Sequence, residues 1–391
     1  MQHRHRLKRT LKTYLIVILA LVVCFGGFVQ SATADDPAIW EIAEHPYSNS
    51  DITFQDVVFI NRTHGWVVGI TTEGIGGGVI LHSNDSGVSW HEQHHDSEQA
   101  FRQIAVIDDL TLWVTGRGGL VYTTDGGKQW INSTTIGPGA SGLGGVIFSN
   151  ATHGWTSTYS NLYTTTDAGQ SWENVSSWVF DDNARDFHIR NSEIWVIGFY
   201  GIYYSNDFGV EWKQLYTHGG WSMSFVETGG AWAVDDNLLA SSFDGYTWSS
   251  HALPRPSPFG GYYPPYFSDV FFVDPYNGWL GGLETPITYT PNGGLDWYDQ
   301  GVEIDTRING LEFINQTHGW AVGSDGTILR TTKGNEIGAR LWRGLTDYVI
   351  LIPIGATIIG IVAVVMLYRR RRMPEKPLSK QIQSSGTIDI E

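Results

Sequence analysis

Histidine and carboxylate side chains gather in one short segment of the sequence. His91, His94 and His95 are interleaved with Glu92 and end at Asp96. Imidazole and carboxylate groups together can hold a divalent metal ion. The segment has the pattern of an outer strand and its exit, in which alternate side chains face opposite ways. We therefore expect a solvated polar edge here, and the sequence predicts no metal site.

Other candidate chemistry is equally sparse. Glycines at 74, 76, 77 and 78 form a loop without the lysine and the strand–helix context of a phosphate loop, so we expect a flexible connection. The acid pairs Asp181-Asp182 and Asp235-Asp236 have no partner in the sequence that would make either pair catalytic. The single cysteine, Cys24, excludes disulfides and cysteine-based metal sites from the rest of the chain. We predict that the protein is not an enzyme and uses no cofactor.

Composition indicates short strands and an acidic surface. The 391 residues include 47 Gly, 17 Trp and 18 Tyr, with 24 Lys+Arg against 40 Asp+Glu and a net charge of −16. Hydrophobic residues make up 41% of the chain, which excludes a disordered protein. The negative charge repels phosphate, so nucleic acid is excluded as a partner.

The two ends differ from the rest. Residues 1–34 combine five basic residues, an apolar run and Ala32-Thr33-Ala34, which predicts a cleaved signal peptide, with an uncleaved membrane anchor as the alternative. Residues 348–368 form an uncharged apolar run followed by four arginines, which predicts a transmembrane helix with residues 369–391 in the cytoplasm. Residues 35–333 are then an ectodomain, joined to the helix by a linker of residues 334–347.

A tryptophan repeat organises the ectodomain. Each copy is preceded by an alternating apolar stretch and begins a short strand, often as Trp-x-Val-Gly. The seven copies are Trp66, Trp113, Trp155, Trp195, Trp232, Trp279 and Trp320.

A second motif, Ser/Thr-x-Asp-x-Gly-x-x-Trp, follows most copies by about 20 residues. It predicts a hairpin turn in which the acid accepts backbone N–H groups and glycine takes positive φ. Calcium binding is the alternative role of these acids. In the fifth copy, Ser241–Trp248, Phe243 stands at the acid position and Asp244 comes one place late. The other turn residues are Asp85, Asp125, Asp167, Asp207 and Asn292.

Four antiparallel strands per repeat predict an all-β, seven-bladed β-propeller. The seventh repeat lacks its fourth strand after Gly334. Ile39-Trp40-Glu41-Ile42 resembles the outer strand of another copy, Ser171-Trp172-Glu173-Asn174. We therefore expect the N-terminal segment to close the last blade and cover its open edge.

These motifs resemble BNR/Asp-box repeats, and their pairing is most similar to the photosystem II stability/assembly factor family. Thr123–Trp130 and Thr317–Gly323 carry the resemblance. It implies a propeller and a soluble assembly helper that holds membrane proteins with a basic patch. Residues 35–347 have only 13 basic residues, spread along the sequence, and the predicted helix supplies an anchor. Asp-box repeats are also found in sialidases, but the Arg-Ile-Pro motif of sialidases is absent from this sequence.

Loops and sequons suggest two different faces. A segment rich in proline and aromatic residues, residues 251–268, falls among the loops opposite the Asp turns, where recognition surfaces are built. Its candidate ligand contacts are Tyr262, Tyr263, Tyr266 and Phe267. The turns on the other face carry most of the Asn-x-Ser/Thr sequons, which make it the candidate glycosylated face. The six sequons are Asn61, Asn84, Asn132, Asn150, Asn174 and Asn315.

Together these features predict a single-pass protein of the cell membrane whose propeller lies outside and binds an extracellular protein or glycan. Two alternatives stay open. One is an assembly or quality-control factor for membrane protein complexes, as in the photosystem II assembly factor family. The other is a sialidase-like glycan-processing enzyme.

Overall fold

Seven four-stranded antiparallel sheets make up the computed structural model of the protein. It describes residues 39–47, 51–72, 76–133, 136, 144–158, 161–175, 184–190, 192–235, 238–253, 266–283, 287–302 and 306–336. In this part of the chain all regular secondary structure apart from turns is β-strand. The predicted all-β, seven-bladed propeller is confirmed.

The strands follow one another in chain order, and blades 1 to 6 each use four consecutive strands. The first strand, β1 (Glu41–Ile42), belongs to blade 7. Blades 1 to 3 contain β2 (Ile52–Phe59), β3 (Gly65–Thr71), β4 (Gly78–Ser83), β5 (His91–Asp96), β6 (Ala100–Val106), β7 (Leu112–Arg117), β8 (Gly119–Thr123), β9 (Ile131–Ser133), β10 (Val146–Phe148), β11 (Gly154–Ser157), β12 (Leu162–Thr165) and β13 (Glu173–Asn174). Blades 4 and 5 contain β14 (Asp186–Arg190), β15 (Glu193–Ile197), β16 (Ile202–Ser205), β17 (Lys213–Tyr216), β18 (Ser222–Phe225), β19 (Ala231–Asp235), β20 (Leu238–Ser242) and β21 (Ser249–Ala252). Blades 6 and 7 contain β22 (Tyr266–Phe272), β23 (Gly278–Leu283), β24 (Thr288–Thr290), β25 (Tyr298–Asp299), β26 (Ile308–Phe313), β27 (Gly319–Gly323) and β28 (Ile328–Thr331).

Closure of the ring uses the N-terminal segment, as predicted. β1 pairs with β28, with Glu41 opposite Arg330. The amide of Ala43 donates to the carbonyl of Ile328 at 2.9 Å. The outer strand of blade 7 therefore comes from the opposite end of the described chain, and the edge of β28 is paired instead of open.

The second-strand tryptophans form the cores between blades. All seven are buried, because each lies on the face of its sheet that packs against the next sheet. Five of them also donate Nε1–H to a carbonyl in the Asp turn of the following blade, or at the corresponding position of blade 7. These pairs are Trp155–Phe208, Trp195–Gly245, Trp232–Gly293, Trp279–Gly334 and Trp320–Ser86. The last pair joins blade 7 to blade 1, so these contacts run around the ring.

The Asp turns have the predicted geometry. In blade 2 the Thr123 hydroxyl donates to Asp125 Oδ1 at 2.8 Å and accepts the amide of Gly127 at 3.0 Å. Asp125 Oδ1 also accepts the amide of Gln129. This amide and the Thr123 hydroxyl lower the pKa of Asp125. Every oxygen contact is with the turn itself, which is the expected structural role.

Blade 5 has a different register from the one read in the sequence. The hydroxyl that closes its turn belongs to Ser242, which donates to Asp244 Oδ1 at 3.0 Å and accepts the amide of Gly245. The turn is thus one residue shorter than the other Asp turns, and Asp244 holds the usual acid position. Phe243 stands outside the hydrogen-bonded turn and is 95% exposed.

Gly169 gives a prediction about these turns. Its φ is +78°, and a Cβ atom there would lie 2.3 Å from the Trp113 ring. We expect Gly169→Ala to lower the free energy of unfolding by about 2–4 kcal/mol, because it adds a ring clash to backbone strain. Gly301→Ala is the matched control, since Gly301 has φ +70° with nothing within 4 Å. It should cost about 1 kcal/mol in urea unfolding, and equal losses would contradict the packing argument.

The predicted membrane segments fall outside the described residues. These are the signal of residues 1–34, the span of residues 348–368 and the tail of residues 369–391. Within the described residues, no helix has the length and apolar character needed to cross a bilayer.

Candidate functional site

A central channel runs between the inner strands of the seven blades. It encloses about 780 Å³ and is lined by residues of β2, β6, β14, β18, β22 and β26 and of the links before them. Each inner strand is the first strand of its blade in chain order, so all seven run in the same direction along the channel axis. Residues just before these strands therefore meet at one mouth, opposite the face that carries the Asp turns.

Side-chain acceptors on the inner strands link neighbouring blades through hydrogen bonds. A carboxylate or amide oxygen of one blade accepts a backbone N–H from the inner strand of the next blade. The pairs are Asp56 with Ile104, Gln103 with Val146, Asp186 with Met223 and Asp269 with Leu311, at 2.6–3.0 Å. Three of these four acceptors follow or lie near an inner-strand bulge that turns the side chain toward the neighbouring blade.

Four carboxyl groups face the channel, and we call them the channel carboxyls: Asp56, Asp186, Asp269 and Glu312. Burial raises the pKa of Asp56 to about 7, of Asp186 to about 6 and of Asp269 to about 8. Burial also raises the pKa of Glu312 well above its usual value. Repulsion between the carboxylates adds to this effect for Asp56, Asp269 and Glu312. The channel carboxyls thus keep their protons at pH values at which exposed carboxyl groups are ionised.

These carboxyls predict how stability depends on pH. A raised pKa in the folded protein means that the folded state binds more protons than the unfolded state, so stability falls as pH rises. Asp56 and Asp269 lose their protons near pH 7 and pH 8. We expect the free energy of unfolding to decrease by about 1–2 kcal/mol between pH 7 and pH 8.5.

Urea unfolding across that window measures the effect. Burial lowers the pKa of His45, His82, His94 and His188, so these histidines act in the opposite direction to the carboxyls. Their effect is the smaller one, because a free imidazole with a pKa of about 6.5 has already lost most of its proton at pH 7. A stability that stays level or increases toward pH 8.5 would show that the channel carboxyls ionise at their ordinary pKa.

Three arginines surround the mouth of the same channel, and we call them the arginine collar: Arg102, Arg185 and Arg307. Arg185 and Arg307 directly precede β14 and β26, and Arg102 lies on the bulge of β6. Arg102 is exposed, and Nε of Arg307 is buried without a hydrogen-bond partner among the described residues. The collar thus places three positive charges around the channel mouth.

Aromatic side chains form a shelf beside the collar, which we call the aromatic rim: Phe199, Tyr200 and Trp221. The Arg185 guanidinium lies 3.7 Å from the centroid of the Trp221 ring and 4.9 Å from that of Phe199. Its Nη1 donates to the Gly220 carbonyl, so the guanidinium is fixed in one orientation. Phe199 is 58% exposed and Tyr200 60%. Arginines beside exposed rings suit a peptide that carries both carboxylate and apolar groups.

The predicted ligand contacts do not meet at this mouth as a group. Tyr266 begins β22 and is partly exposed, whereas Phe267 is 2% exposed and belongs to the core between blades 5 and 6. Tyr262 and Tyr263 lie outside the described residues. Only Tyr266 of the four is thus placed on the surface by the described structure.

Three of the sequon asparagines have a role in turns. Oδ1 of Asn61, Asn150 and Asn315 accepts the amides two and three residues ahead, which fixes the turn between the first two strands. Asp108 and Asp274 do the same in blades 2 and 6. The turn therefore requires a short side chain with an acceptor oxygen, whatever the glycosylation state. Asn84, Asn132 and Asn174 are exposed.

The histidine-rich segment forms β5. His91 and His95 are exposed, while His94 stacks between Phe101 and Trp130. Among the described residues, no group of three or more His, Cys, Asp or Glu side chains is arranged to hold a metal ion.

Neither the channel carboxyls nor the collar were predicted from the sequence. One available signal was the repeat register itself. Counting back 10 residues from the second-strand tryptophan reaches Asp56, Gln103 and Asp269 in their blades. The same count does not align the collar, because Arg185 stands 10 residues before Trp195 and Arg307 stands 13 residues before Trp320. The arginines that look scattered in the sequence are gathered by the closure of the ring.

Comparison with known proteins agrees with the fold and the motifs. Residues 32–142 match the sequence profile of a family described as Photosynthesis system II assembly factor YCF48. The photosystem II assembly lipoprotein Ycf48 of Synechococcus sp. (strain CC9902) is 24% identical over 344 residues, covering 83% of this chain and 97% of the relative. The protein of the same name from Picosynechococcus sp. is 24% identical over 385 residues, covering 84% and 98%. A solved structure described as YCF48 bound to D1 peptide has a TM-score of 0.61 at 20% identity, covering 78% of this chain and 100% of that one.

These relatives correct three expectations. The main prediction of an extracellular module that binds a protein or glycan is wrong, because the curated relatives are named photosystem II assembly proteins. An extracellular protein or glycan as partner is wrong for the same reason, and the similar solved structure was determined with a peptide. The single-pass cell-membrane location is contradicted by relatives that are named assembly lipoproteins.

The basic residues look dispersed along the sequence. Three of the 13 between residues 35 and 347 instead lie around one channel mouth. The resemblance first seen in Thr123–Trp130 and Thr317–Gly323 is confirmed by the family profile and by relatives matched over nearly their whole length. The chain is a BNR/Asp-box repeat β-propeller similar to the photosystem II stability/assembly factor family.

Proposed function

We propose that this protein is an assembly or quality-control factor that binds a peptide segment of a membrane protein at the channel mouth, without catalysing a reaction. The observation that carries the proposal is the match to proteins named photosystem II assembly factors over 97–98% of their length. The described structure adds a surface suited to the task, because the collar and the aromatic rim adjoin.

The chemistry of the mouth supports a peptide with acidic character. Guanidinium groups donate paired hydrogen bonds to carboxylates, and the Arg185 guanidinium stacks on Trp221 at the mouth, 3.7 Å from the ring centroid. Apolar side chains of the same peptide can contact Phe199 and Tyr200, which are more than half exposed. The acidic remainder of the surface repels other parts of an acidic partner and favours this one place of contact.

Site-specific crosslinking from native membranes tests the proposal. Phe199 is replaced by the photoreactive p-benzoylphenylalanine in the full-length chain, and crosslinked proteins are identified by mass spectrometry. Tyr276 is the matched control, because it is 65% exposed but lies in a turn on the opposite face. We expect subunits of membrane complexes to be captured from position 199 only. Equal capture from both positions, or capture of no membrane protein, would contradict the proposal.

A further inference from the structure

Large apolar and aromatic side chains are exposed on the face opposite the channel mouth, in the successive Asp turns of blades 4 and 5. We call them the turn patch: Phe208, Val210, Phe243 and Tyr246. We propose that the turn patch binds a segment of a partner protein that carries both apolar and positively charged side chains. This second site goes beyond the proposed function, because it lets the chain hold two partners at once, one on each face.

The fold leaves the turn patch in contact with water. Phe243 is almost fully exposed, and Val210 is 67% exposed. Phe208 and Tyr246 are 46% and 37% exposed, although their rings also contact the tryptophans beneath them. A partner that covers these side chains removes apolar surface from water, which is the main source of favourable free energy in protein association.

Phe208 also has an unfavourable backbone conformation. Its φ is +61°, in the left-handed region that bulky residues rarely adopt. At the equivalent turn position, blades 1 and 3 have the small residues Ser86 and Ala168, and blades 2 and 6 have glycine. The ring lies parallel to that of Trp155, with centroids 6.2 Å apart, but half of the side chain remains exposed. A glycine would close this turn with less strain, so a contact outside the chain accounts for the aromatic ring.

The turns around the patch are acidic. On this face, blades 4 and 5 have four turns, and the structure describes every residue of these turns except Asn191. The sequences of the four turns contain no Lys, Arg or His. Their acids are Asp207, Glu211, Glu227 and Asp244. Negative charge beside apolar side chains attracts a partner segment that is positively charged and repels one that is acidic.

Two cations adjoin these turns in the sequence, and the acids outnumber them. Arg190 forms an ion pair with Glu193 at 3.7 Å and lies over the ring of Trp195. Glu193 also accepts the hydroxyl of Tyr246, which joins the Asp turn of blade 5 to blade 4. Lys213 is the first residue of β17, the outer strand of blade 4. With Glu193 there are five acids against two cations, so the surroundings of the turn patch are negatively charged.

Binding of a defined peptide to the purified full-length chain tests the proposal. The probe is a fluorescent, N-acetylated and C-amidated octapeptide of Leu, Ala and Lys, which we call the lysine peptide. Its charges are all positive. We expect it to bind at least about tenfold more tightly than the same peptide with Glu in place of Lys. Equal affinities for the two peptides, or no binding of the lysine peptide, would overturn the proposal.

Phe243→Ser tests the patch itself, and Leu110→Ser is its matched control. Both changes remove a large exposed apolar side chain from a turn on the same face, but Leu110 lies in blade 2. We expect Phe243→Ser to weaken binding of the lysine peptide about tenfold and Leu110→Ser less than about twofold. Glu211→Gln and Asp109→Asn make the same comparison for charge, because both acids are exposed on this face. We expect a loss of about threefold from Glu211→Gln only, and equal losses within either pair would contradict binding at the patch.

Three further measurements distinguish a protein partner from other occupants of the patch. If sedimentation velocity shows a dimer that Phe243→Ser dissociates, a second copy of the chain covers the patch and the proposal is wrong. It is also wrong if phosphatidylcholine vesicles bind the chain and Phe243→Ser abolishes that binding. Photocrosslinking from position 199 should be unchanged in Phe243→Ser, so that failure at the turn patch is told apart from failure at the channel mouth. Loss of that capture would contradict a second, separate site.

Discussion

Replacing Trp40 with alanine is expected to lower the free energy of unfolding by about 3–5 kcal/mol, one of the largest losses available from a single residue of this chain. The side chain is 6% exposed and packs edge-on against Phe313 of β26, with ring centroids 5.8 Å apart. Its Nε1 donates to Oε1 of Gln300 at 2.9 Å. The substitution therefore leaves a cavity and a buried amide without its donor.

The position of Trp40 makes this loss more than local. β1 is held to β28 by a short pairing, and the Thr331 hydroxyl donates to the Ile39 carbonyl at 2.6 Å. Trp40 is the large apolar side chain that fastens this segment to the core between blades 6 and 7. We expect the loosened segment to expose the edge of β28 and to increase aggregation during thermal unfolding.

Ile42→Ala provides the matched control in the same strand. Ile42 is 77% exposed, so its truncation should change stability by no more than about 0.5 kcal/mol. Chemical unfolding of both variants, with light scattering on heating, measures the difference. Similar stabilities for the two variants would show that the N-terminal segment does not hold the ring closed.

Such closure could be predicted from the sequence because the blade is repeated. The tryptophan of the second strand and the acid of the turn recur in nearly every copy, so one missing outer strand was conspicuous, and Trp40 was recognisable as its remainder. The repeated turn also fixed the direction of each hairpin. Even the exception in blade 5 was visible as an acid one place late, although only the structure shows that Ser242 moves with it.

The functional mouth could not be predicted in the same way. Its residues come from separate blades, with Arg102 and Arg307 more than 200 positions apart. No two blades share the same set of mouth residues, so the repeat gives no pattern to recognise. The channel carboxyls are single polar residues in strands that otherwise alternate in the ordinary way, and only ring closure shows that Asp56 and Asp269 face one cavity.

The predictions of a cell-membrane location and of an extracellular partner were wrong for a related reason. They depended on the two ends of the sequence and on segments such as residues 254–265, which lie outside the described structure. Phe267 looked like part of an exposed aromatic loop because Tyr266 and the prolines precede it. It is instead the second residue of β22, and alternation along the strand turns it into the core.

Loss of the collar should have the largest effect on binding. The probe is a fluorescent N-acetylated octapeptide of Ala, Leu and Glu with a free terminal carboxylate, called the acidic octapeptide. We expect Arg185→Gln and Arg307→Gln each to weaken its binding about tenfold at pH 6, and the double variant about 100-fold. Each change removes one charge and the paired donors that a carboxylate would accept, while a polar side chain of moderate length is kept. Isothermal titration calorimetry or fluorescence anisotropy measures these affinities.

Arg117→Gln is the control for net charge. Arg117 ends β7 on the same face of the propeller, but it does not line the channel. If long-range attraction to the whole face were responsible, this variant would lose as much affinity as Arg185→Gln. We expect instead a loss of affinity of less than about twofold. Added salt should abolish most of that small loss, because it screens long-range attraction.

Arg185→Lys separates charge from shape at the same position. Lysine keeps the positive charge but loses the planar fork that stacks on Trp221 and meets a carboxylate with two donors. An affinity between those of the unmodified chain and Arg185→Gln would therefore assign part of the binding to the fixed orientation of the guanidinium. If Arg185→Lys binds as tightly as the unmodified chain, the stacking on Trp221 has no part in recognition, and the mouth acts only as a positive charge.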